Sequence, residues 1–424
     1  MLVLYNFGIR IYYVLIVVFQ FFNKKAKLWI LGRKAIYDKI TANVDINYKT
    51  IWFHFASLGE FEQGRPVMEE MRKLYTDRKF LVTFFSPSGY ELRKNYQGAD
   101  YIFYLPIDTQ KNASKFIDLV KPEMAIFTKY EFWYHYFDQL HQRGIPLYLI
   151  SGIFRPDQPF FKWYGSLNRK ILSFVEHFFV QDEGSRNLLA TIGINNVTVS
   201  GDTRFDRVAE NALAPKKFEI VEQFCNNANV FVAGSTWPDD EKLIAELAQE
   251  YPGWKFIIAP HEIKEEKINT LTELLPSGRT ARYSELKLLS DKTENIDSFQ
   301  SKATASQTLI IDNIGMLSSL YQYGKIAYIG GGFGVGIHNT LEAAAFGVPI
   351  IFGPNYQKFL EAKALIKNGG GFTINNLKEL KEIVSRLQNT EIRKAAGNAA
   401  GKYVMESKGA TYSVLNYIKN KKAV

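Results

Sequence analysis

One regularity constrains this chain more than any other. From about residue 50, short apolar runs alternate with amphipathic stretches. The runs at 51–55 (IWFHF), 80–85 (FLVTFF), 101–105 (YIFYL), 124–128 (MAIFT), 146–150 (PLYLI), 177–181 (HFFVQ) and 197–200 (VTVS) read as strands. Helical stretches such as 61–75, 109–120 and 132–142 lie between them. A second alternation begins after the polar stretch 207–229, with strands at 230–233, 255–259, 308–311, 326–329 and 348–352. Strands that alternate with helices predict right-handed βαβ units and parallel sheets covered on both faces. A chain of 424 residues is long enough for two such domains, expected at 23–210 and 211–402. Residues 284–306 are polar and are expected to be irregular, while 403–424 should carry a helix that returns to the first domain. In such folds ligands bind in a cleft outside the C-terminal edges of the strands.

Composition narrows the class. Hydrophobic residues at 46% and charged residues at 22% are those of a globular protein, and Cys225 as the single cysteine excludes an internal disulfide or a cysteine metal cluster. A net charge of +9 points to anionic partners. Residues 2–22 carry one charge, Arg10, and are followed by Lys24, Lys25, Lys27, Arg33, Lys34 and Lys39. An apolar helix of about 20 residues crosses a bilayer, with flanking cations kept on the cytoplasmic side. Residues 1–22 are therefore expected to be a membrane-anchor helix, either spanning or lying in the headgroup layer, with a buried core helix as the alternative. No small-x-small cleavage site follows, so a removable signal peptide is not expected.

The glycine-rich stretch 325–354 (KIAYIGGGFGVGIHNTLEAAAFGVPIIFGP) reads as strand, glycine loop, helix and strand. Asn339 stands where an N-cap belongs and Glu342 three residues on, as in a capping box. Glycines and free N–H groups at a helix start favour a phosphate, although a tight connection in any doubly wound sheet has the same composition. Neither G-x-G-x-x-G nor G-x-x-x-x-G-K-[ST] is present.

Polar residues follow several strands. Glu60 stands at the mouth of the helix after 51–55, where it either takes a proton from a hydroxyl or complements the helix dipole. Glu131, in KYEFW after 124–128, has the same two readings. Arg204, in VSGDTRFD, either forks onto a phosphate or carboxylate or pairs with Asp202 or Asp206. Ser235 or Thr236 is expected to cap a helix that opens with Pro238, Asp239, Asp240 and Glu241. His261-Glu262 resembles the start of H-E-x-x-H, but position 265 is glutamate, and the six histidines are scattered. No catalytic metal and no cofactor are expected.

The series HFASLGE (54–60), SPSG (86–89), LPID (105–108), KYEFW (129–133), VSGDTRFD (199–206), AGSTW (233–237), APHE (259–262), DNIGML (312–317) and the glycine stretch resembles the 3-deoxy-D-manno-octulosonic acid (Kdo) transferases. The resemblance runs from about residue 5 to 420. It implies the GT-B fold, two Rossmann-like doubly wound domains facing across a cleft, and an inverting, metal-independent glycosyltransferase. Such enzymes move Kdo from CMP-Kdo to the lipid A precursor. It further implies Glu60 as general base, with Glu131 and Arg204 at transition-state-stabilising positions. CMP would be held by Ser235, Pro260, His261, Ile314, Gly315, Met316, Asn339, Thr340, Leu341 and Glu342. Arg204 occupies a position often lysine, and the family's Pro-Arg-His is here Pro260-His261, without the arginine.

The implied chemistry is coherent with these residue types. CMP leaves as a monophosphate dianion, so helix N–H groups and a cation can take the place of a metal. Expected partners are CMP-Kdo, the acylated and phosphorylated lipid A precursor and the cytoplasmic surface of the inner membrane, not nucleic acid. Two alternatives stand beside this reading. One is another GT-B enzyme, such as a lipid A disaccharide synthase or a UDP-sugar epimerase; the other is a non-enzymatic basic binder of anionic membrane or nucleic acid.

Overall fold

A computed structural model describes residues 1–291 and 296–422. The chain divides into two compact units, 1–206 with 408–424 and 207–407. The first is built on a seven-stranded sheet of β1 (Thr50–Phe55), β2 (Lys79–Phe84), β3 (Tyr101–Tyr104), β4 (Pro122–Thr128), β5 (Leu147–Gly152), β6 (His177–Val180) and β7 (Val197–Val199). All pairings are parallel, in the order β3-β2-β1-β4-β5-β6-β7. Continuously apolar strands such as β1 are buried along their length, as a sheet covered on both faces requires. Trp52, Phe116, Phe127 and Tyr136 fill one side, and Phe53, Phe55, Phe61 and Phe80 the other. Each such side chain contributes roughly 1.5–3 kcal/mol by leaving water.

The second unit repeats the plan with β8 (Asn229–Thr236), β9 (Trp254–Pro260), β10 (Thr280–Arg282), β11 (Thr308–Ile310), β12 (Ile326–Ile329), β13 (Ile350–Phe352) and β14 (Gly371–Thr373). Their order is β10-β11-β9-β8-β12-β13-β14, again all parallel. Phe231, Phe256, Ile258, Tyr328 and Ile351 centre its core.

Several expectations need correction. Residues 284–306 are not irregular, because helices Tyr283–Ser290 and Ile296–Ala305 occupy most of that stretch, whose residues 292–295 lie outside the described part. Leu286, Phe299 and Ala303 are buried there, a stripe narrow enough for polar composition to mask. The C-terminal region holds two helices, Thr390–Ser407 and Ala410–Lys422, broken at Gly409 with φ +120°. Asp206 takes the N–H groups of Gly409 (2.5 Å) and Thr411 (2.7 Å), so it caps the last helix. Val414 and Ile418 of that helix enter the core of the first unit.

The N-terminal helix, Leu2–Phe19, is long and apolar enough to cross a membrane, with mean hydropathy 1.9 and no buried residue. A buried core helix is therefore ruled out. Tyr5 donates to Asp108 at 2.5 Å, Asn6 meets His135 Nε2 at 2.6 Å, and Tyr12 stacks on Phe85.

Candidate functional site

In each sheet the strand order reverses once, between β1 and β4 and between β8 and β12. Neighbouring loops diverge at such a switch point, leaving a crevice beyond the strand C-termini. The candidate residues of the first unit follow β1, β4 and, for Arg204, β7; those of the second lie at the ends of β8 and β9 or follow β9, β11 and β12.

Beyond β1 the chain turns through Ala56-Ser57 into helix Leu58–Leu74, whose first turn carries Glu60. The Ser57 side chain caps nothing; instead the Ala56 N–H donates to Glu60 Oε2 at 2.5 Å. Burial, with Glu131 as the next contribution, pushes the Glu60 carboxyl up from 4.5 to about 7, against the pull of the Ala56 and Ser57 N–H groups and Lys129. A carboxyl poised there is half ionised near neutrality, as a general base requires.

Glu131 lies past a left-handed turn at Lys129 (φ +58°). Its Oε2 accepts from Trp133 Nε1 at 2.9 Å and lies 3.1 Å from His54 Nε2, while among the described residues no hydrogen bond reaches Oε1. His54, fully buried in β1, touches Thr83 Oγ1 of β2 at 2.8 Å through Nδ1. Glu60, Glu131 and the unpredicted His54, Thr83 and Trp133 thus form one cluster.

Arg204 places Nε and Nη2 each 2.9 Å from Asp202 Oδ2, and its N–H donates to Oδ1 at 2.9 Å. Gln63 Nε2 reaches both oxygens at 3.2 Å. Burial raises the Asp202 carboxyl, but Arg204 and its hydrogen bonds outweigh this and hold it below its usual range. The ion-pair reading of Arg204 with Asp202 is thus present in the fold, and Asp206 serves the last helix.

In the second unit, the helix after β8 is capped by neither Ser235 nor Thr236. Trp237 is its N-cap, because Asp240 reaches back to the Trp237 N–H at 2.9 Å. Thr236 Oγ1 is spent on Glu241 Oε1 at 3.0 Å, and Ser235 adopts φ +55°. Asp240 also takes the Gly331 N–H (2.9 Å) and the Tyr328 hydroxyl (2.7 Å), which pins the glycine loop to the helix start. Gly331 sits at φ +91°, and a Cβ on Gly330 would come within 2.3 Å of the Ser235 carbonyl. These two glycines are needed for backbone to pass backbone, whatever else the loop binds.

His261 stacks on Trp237 (4.7 Å) and on His338 (4.4 Å), and Trp237 Nε1 donates to His338 Nε2 at 3.0 Å. Burial and the neighbouring His261 push His338 down to about 4, so it is neutral. Pro260 ends β9. Ile314 is exposed, Gly315 takes φ +95°, and Met316 is buried. The helix expected after Asn339 is Leu341–Ala345, with Thr340 rather than Asn339 at the N-cap position. Asn339 Oδ1 accepts from the Leu341 N–H (3.1 Å), and its amide donates to Glu342 Oε1 (3.1 Å); the expected capping box does not form, because the N-cap residue makes no side-chain cap and Asn339 and Glu342 meet side chain to side chain. Thr340 and Leu341 are fully buried.

Residues 30–207 match the family model of 3-deoxy-D-manno-octulosonic-acid transferase (kdotransferase). Relatives of the same description include one from Haemophilus influenzae, 24% identical over 87% of this chain and 86% of its own, and one from Aquifex aeolicus, 26% identical over 84% and 91%. The chain is thus similar to Kdo transferases over most of its length. Each of these relatives is described as a transferase of 3-deoxy-D-manno-octulosonic acid. A UDP-GlcNAc 2-epimerase from Neisseria meningitidis bound to UDP-GlcNAc superposes with a TM-score of 0.61 at 17% identity, covering 88% of this chain and all of that one. That likeness shows the fold, two Rossmann-like domains of the GT-B type.

Sequence reasoning singled out the carboxylates but missed what holds them. His54 and Trp133 stood inside the quoted motifs HFASLGE and KYEFW, and Trp237 inside AGSTW. Indole and imidazole N–H groups beside a glutamate after a strand were the available signal. Asp240 was read as an ordinary first-turn acid, and His338 carried no signal beyond its place in the glycine stretch.

Proposed function

We propose that this protein is a Kdo transferase that moves Kdo from CMP-Kdo to the lipid A precursor at the cytoplasmic face of the inner membrane, with no metal. The first unit binds the acceptor and the second holds CMP-Kdo. Glu60 takes the proton of an acceptor sugar hydroxyl as that oxygen bonds the anomeric carbon of Kdo. The bond from that carbon to the phosphate oxygen breaks, CMP leaves, and configuration inverts. Glu131, ionised, favours the positive charge that develops on the sugar ring. Arg204 favours the charge collecting on the departing phosphate. Ser235, Pro260, His261, Ile314–Met316 and Asn339–Glu342 hold CMP.

One observation carries this reading: a half-buried carboxyl at a switch point, pushed to about 7, beside a second carboxylate with a bare oxygen. The anchor role of Leu2–Phe19 is supported by its exposed Phe7, Leu15, Val18 and Phe19, which suit an acylated acceptor's environment. The test incubates purified full-length protein with CMP-Kdo and tetraacylated lipid A precursor, and counts additions by mass spectrometry. Transfer is expected, surviving EDTA and collapsing in Glu60→Ala. Transfer from a UDP-sugar instead, or transfer indifferent to Glu60, would refute the reading.

A further inference from the structure

The floor of the first-unit site contains a chain of contacts that proton transfer from the acceptor does not itself use. Parallel register sets Thr83 of β2 beside His54 of β1, and Glu131 follows β4 on the other side of β1. Trp52 Nε1 donates to Thr83 Oγ1 at 2.8 Å, Thr83 Oγ1 meets His54 Nδ1 at 2.8 Å, and His54 Nε2 meets Glu131 Oε2 at 3.1 Å. Trp133 Nε1 donates to the same carboxylate oxygen at 2.9 Å.

The protons in this chain can be placed. A threonine hydroxyl has one hydrogen and two lone pairs, and Trp52 occupies one lone pair. The hydrogen has two acceptors in reach, His54 Nδ1 at 2.8 Å and the Phe53 carbonyl at 3.5 Å. The shorter contact is the real hydrogen bond. His54 Nδ1 is then bare, and the neutral ring carries its single proton on Nε2, aimed at Glu131. The opposite tautomer would set a nitrogen lone pair against a carboxylate 3.1 Å away in a buried place. A doubly protonated ring would drive the Thr83 hydrogen to the long Phe53 contact and bury a second charge beneath the Phe127 ring, 4.8 Å off.

We propose that His54 is a positioning residue, held by Thr83 as the neutral Nε2–H tautomer, so that it and Trp133 clamp one oxygen of Glu131 and leave the other to substrate. This rests on the role assigned to Glu131 above. Two donors on one oxygen favour the ionised carboxylate and fix its plane. The charged and titratable groups around the clamp are Glu60 at the start of helix Leu58–Leu74, Lys129 in the loop after β4, and Tyr12 on the N-terminal helix. Glu131 kept anionic raises the proton affinity of Glu60, so His54 tunes the base without touching it.

Two measurements test this. The first needs no substrate: full-length protein with [15N]histidine in detergent, examined by long-range 1H–15N spectra between about pH 6 and 8. His54, assigned by the signal lost in His54→Gln, should show a protonated Nε2 and a bare Nδ1 at the upper end of that range. A protonated Nδ1 in the wild type there overturns the proposal. The second compares pH profiles of transfer in His54→Asn, whose amide is too short to reach Glu131, and His54→Gln, whose amide nitrogen falls near Nε2. His54→Asn should lower kcat about tenfold and move the acid limb down by about one pH unit, with acceptor KM within about twofold. His54→Gln should restore most of both. Profiles of wild type and His54→Asn that superpose after scaling, or a glutamine no better than asparagine, would reduce His54 to core filling. If the wild type transfers no Kdo, the proposed function fails while the spectra still decide the tautomer.

Discussion

Glu60→Gln should make the protein inactive and, above neutral pH, more stable. The Glu60 carboxyl rises from 4.5 to about 7 on folding, with burial the first cause and Glu131 the second. A raised pKa means the folded state prefers the protonated acid. That preference is fully expressed below about 4.5 and lost as pH climbs through about 7, where the native state holds a poorly solvated charge. At 1.36 kcal/mol per unit the ceiling is about 3 kcal/mol. Glutamine never ionises, and its side-chain oxygen can still accept the Ala56 N–H. The variant should therefore match wild type near about pH 4.5 and gain progressively to about pH 8. For a unit of 150–250 residues, where 1 kcal/mol moves Tm by about 2–4 °C, the gain is at most about 6–12 °C. Thermal melts across the pH range read it, alongside a transfer rate expected to fall by about 100-fold or more. An equal Tm change at every pH, or none at about pH 8, would show that this carboxyl does not titrate where a base must.

Other outcomes follow from the same contacts. Trp133→Phe keeps the ring but removes one of the two donors on Glu131, so kcat should fall by about tenfold with little change in acceptor KM, read by steady-state kinetics. Asp240→Asn leaves too few acceptors for the Trp237 and Gly331 N–H groups and the Tyr328 hydroxyl; a loss of about 1–3 kcal/mol is expected in melts, with weaker CMP binding by calorimetry. Removing residues 2–22 should abolish flotation with anionic vesicles while leaving the folded units' circular dichroism unchanged.

Much of the fold was legible because apolar strands of a covered parallel sheet announce themselves, as β1 does with TIWFHF. What escaped was short or locally ambiguous. β10 and β14 are three-residue edge strands, Thr-Ala-Arg and Gly-Phe-Thr, with no apolar run to detect. At the helix after β8, capping by serine or threonine was the local expectation, yet Asp240 supplied the bond from inside the helix and left Trp237 at the cap. Glu60 and Glu131 were recognisable from their places after strands. Their convergence with His54 and Thr83 depends on β4 pairing with the far edge of β1, and periodicity carries no strand order.

The contrast between the two switch points bears on which unit does proton chemistry. In the second unit the polar groups are already spent: Asp240 serves three donors, Glu241 holds Thr236, and His338 is pushed down to about 4 and occupied by Trp237. They present fixed rings and backbone, which suits holding a ligand. In the first unit the carboxylates are incompletely satisfied: Glu60 sits near its own midpoint at about 7, and Glu131 keeps Oε1 unbonded. A group left half-satisfied in a buried setting costs stability, and folds retain that cost where a reaction needs it. The proposed division into a reacting half and a binding half accords with these hydrogen bonds. It predicts that isosteric changes will be paid in rate at Glu60 and Glu131 but in affinity at Asp240 and His338.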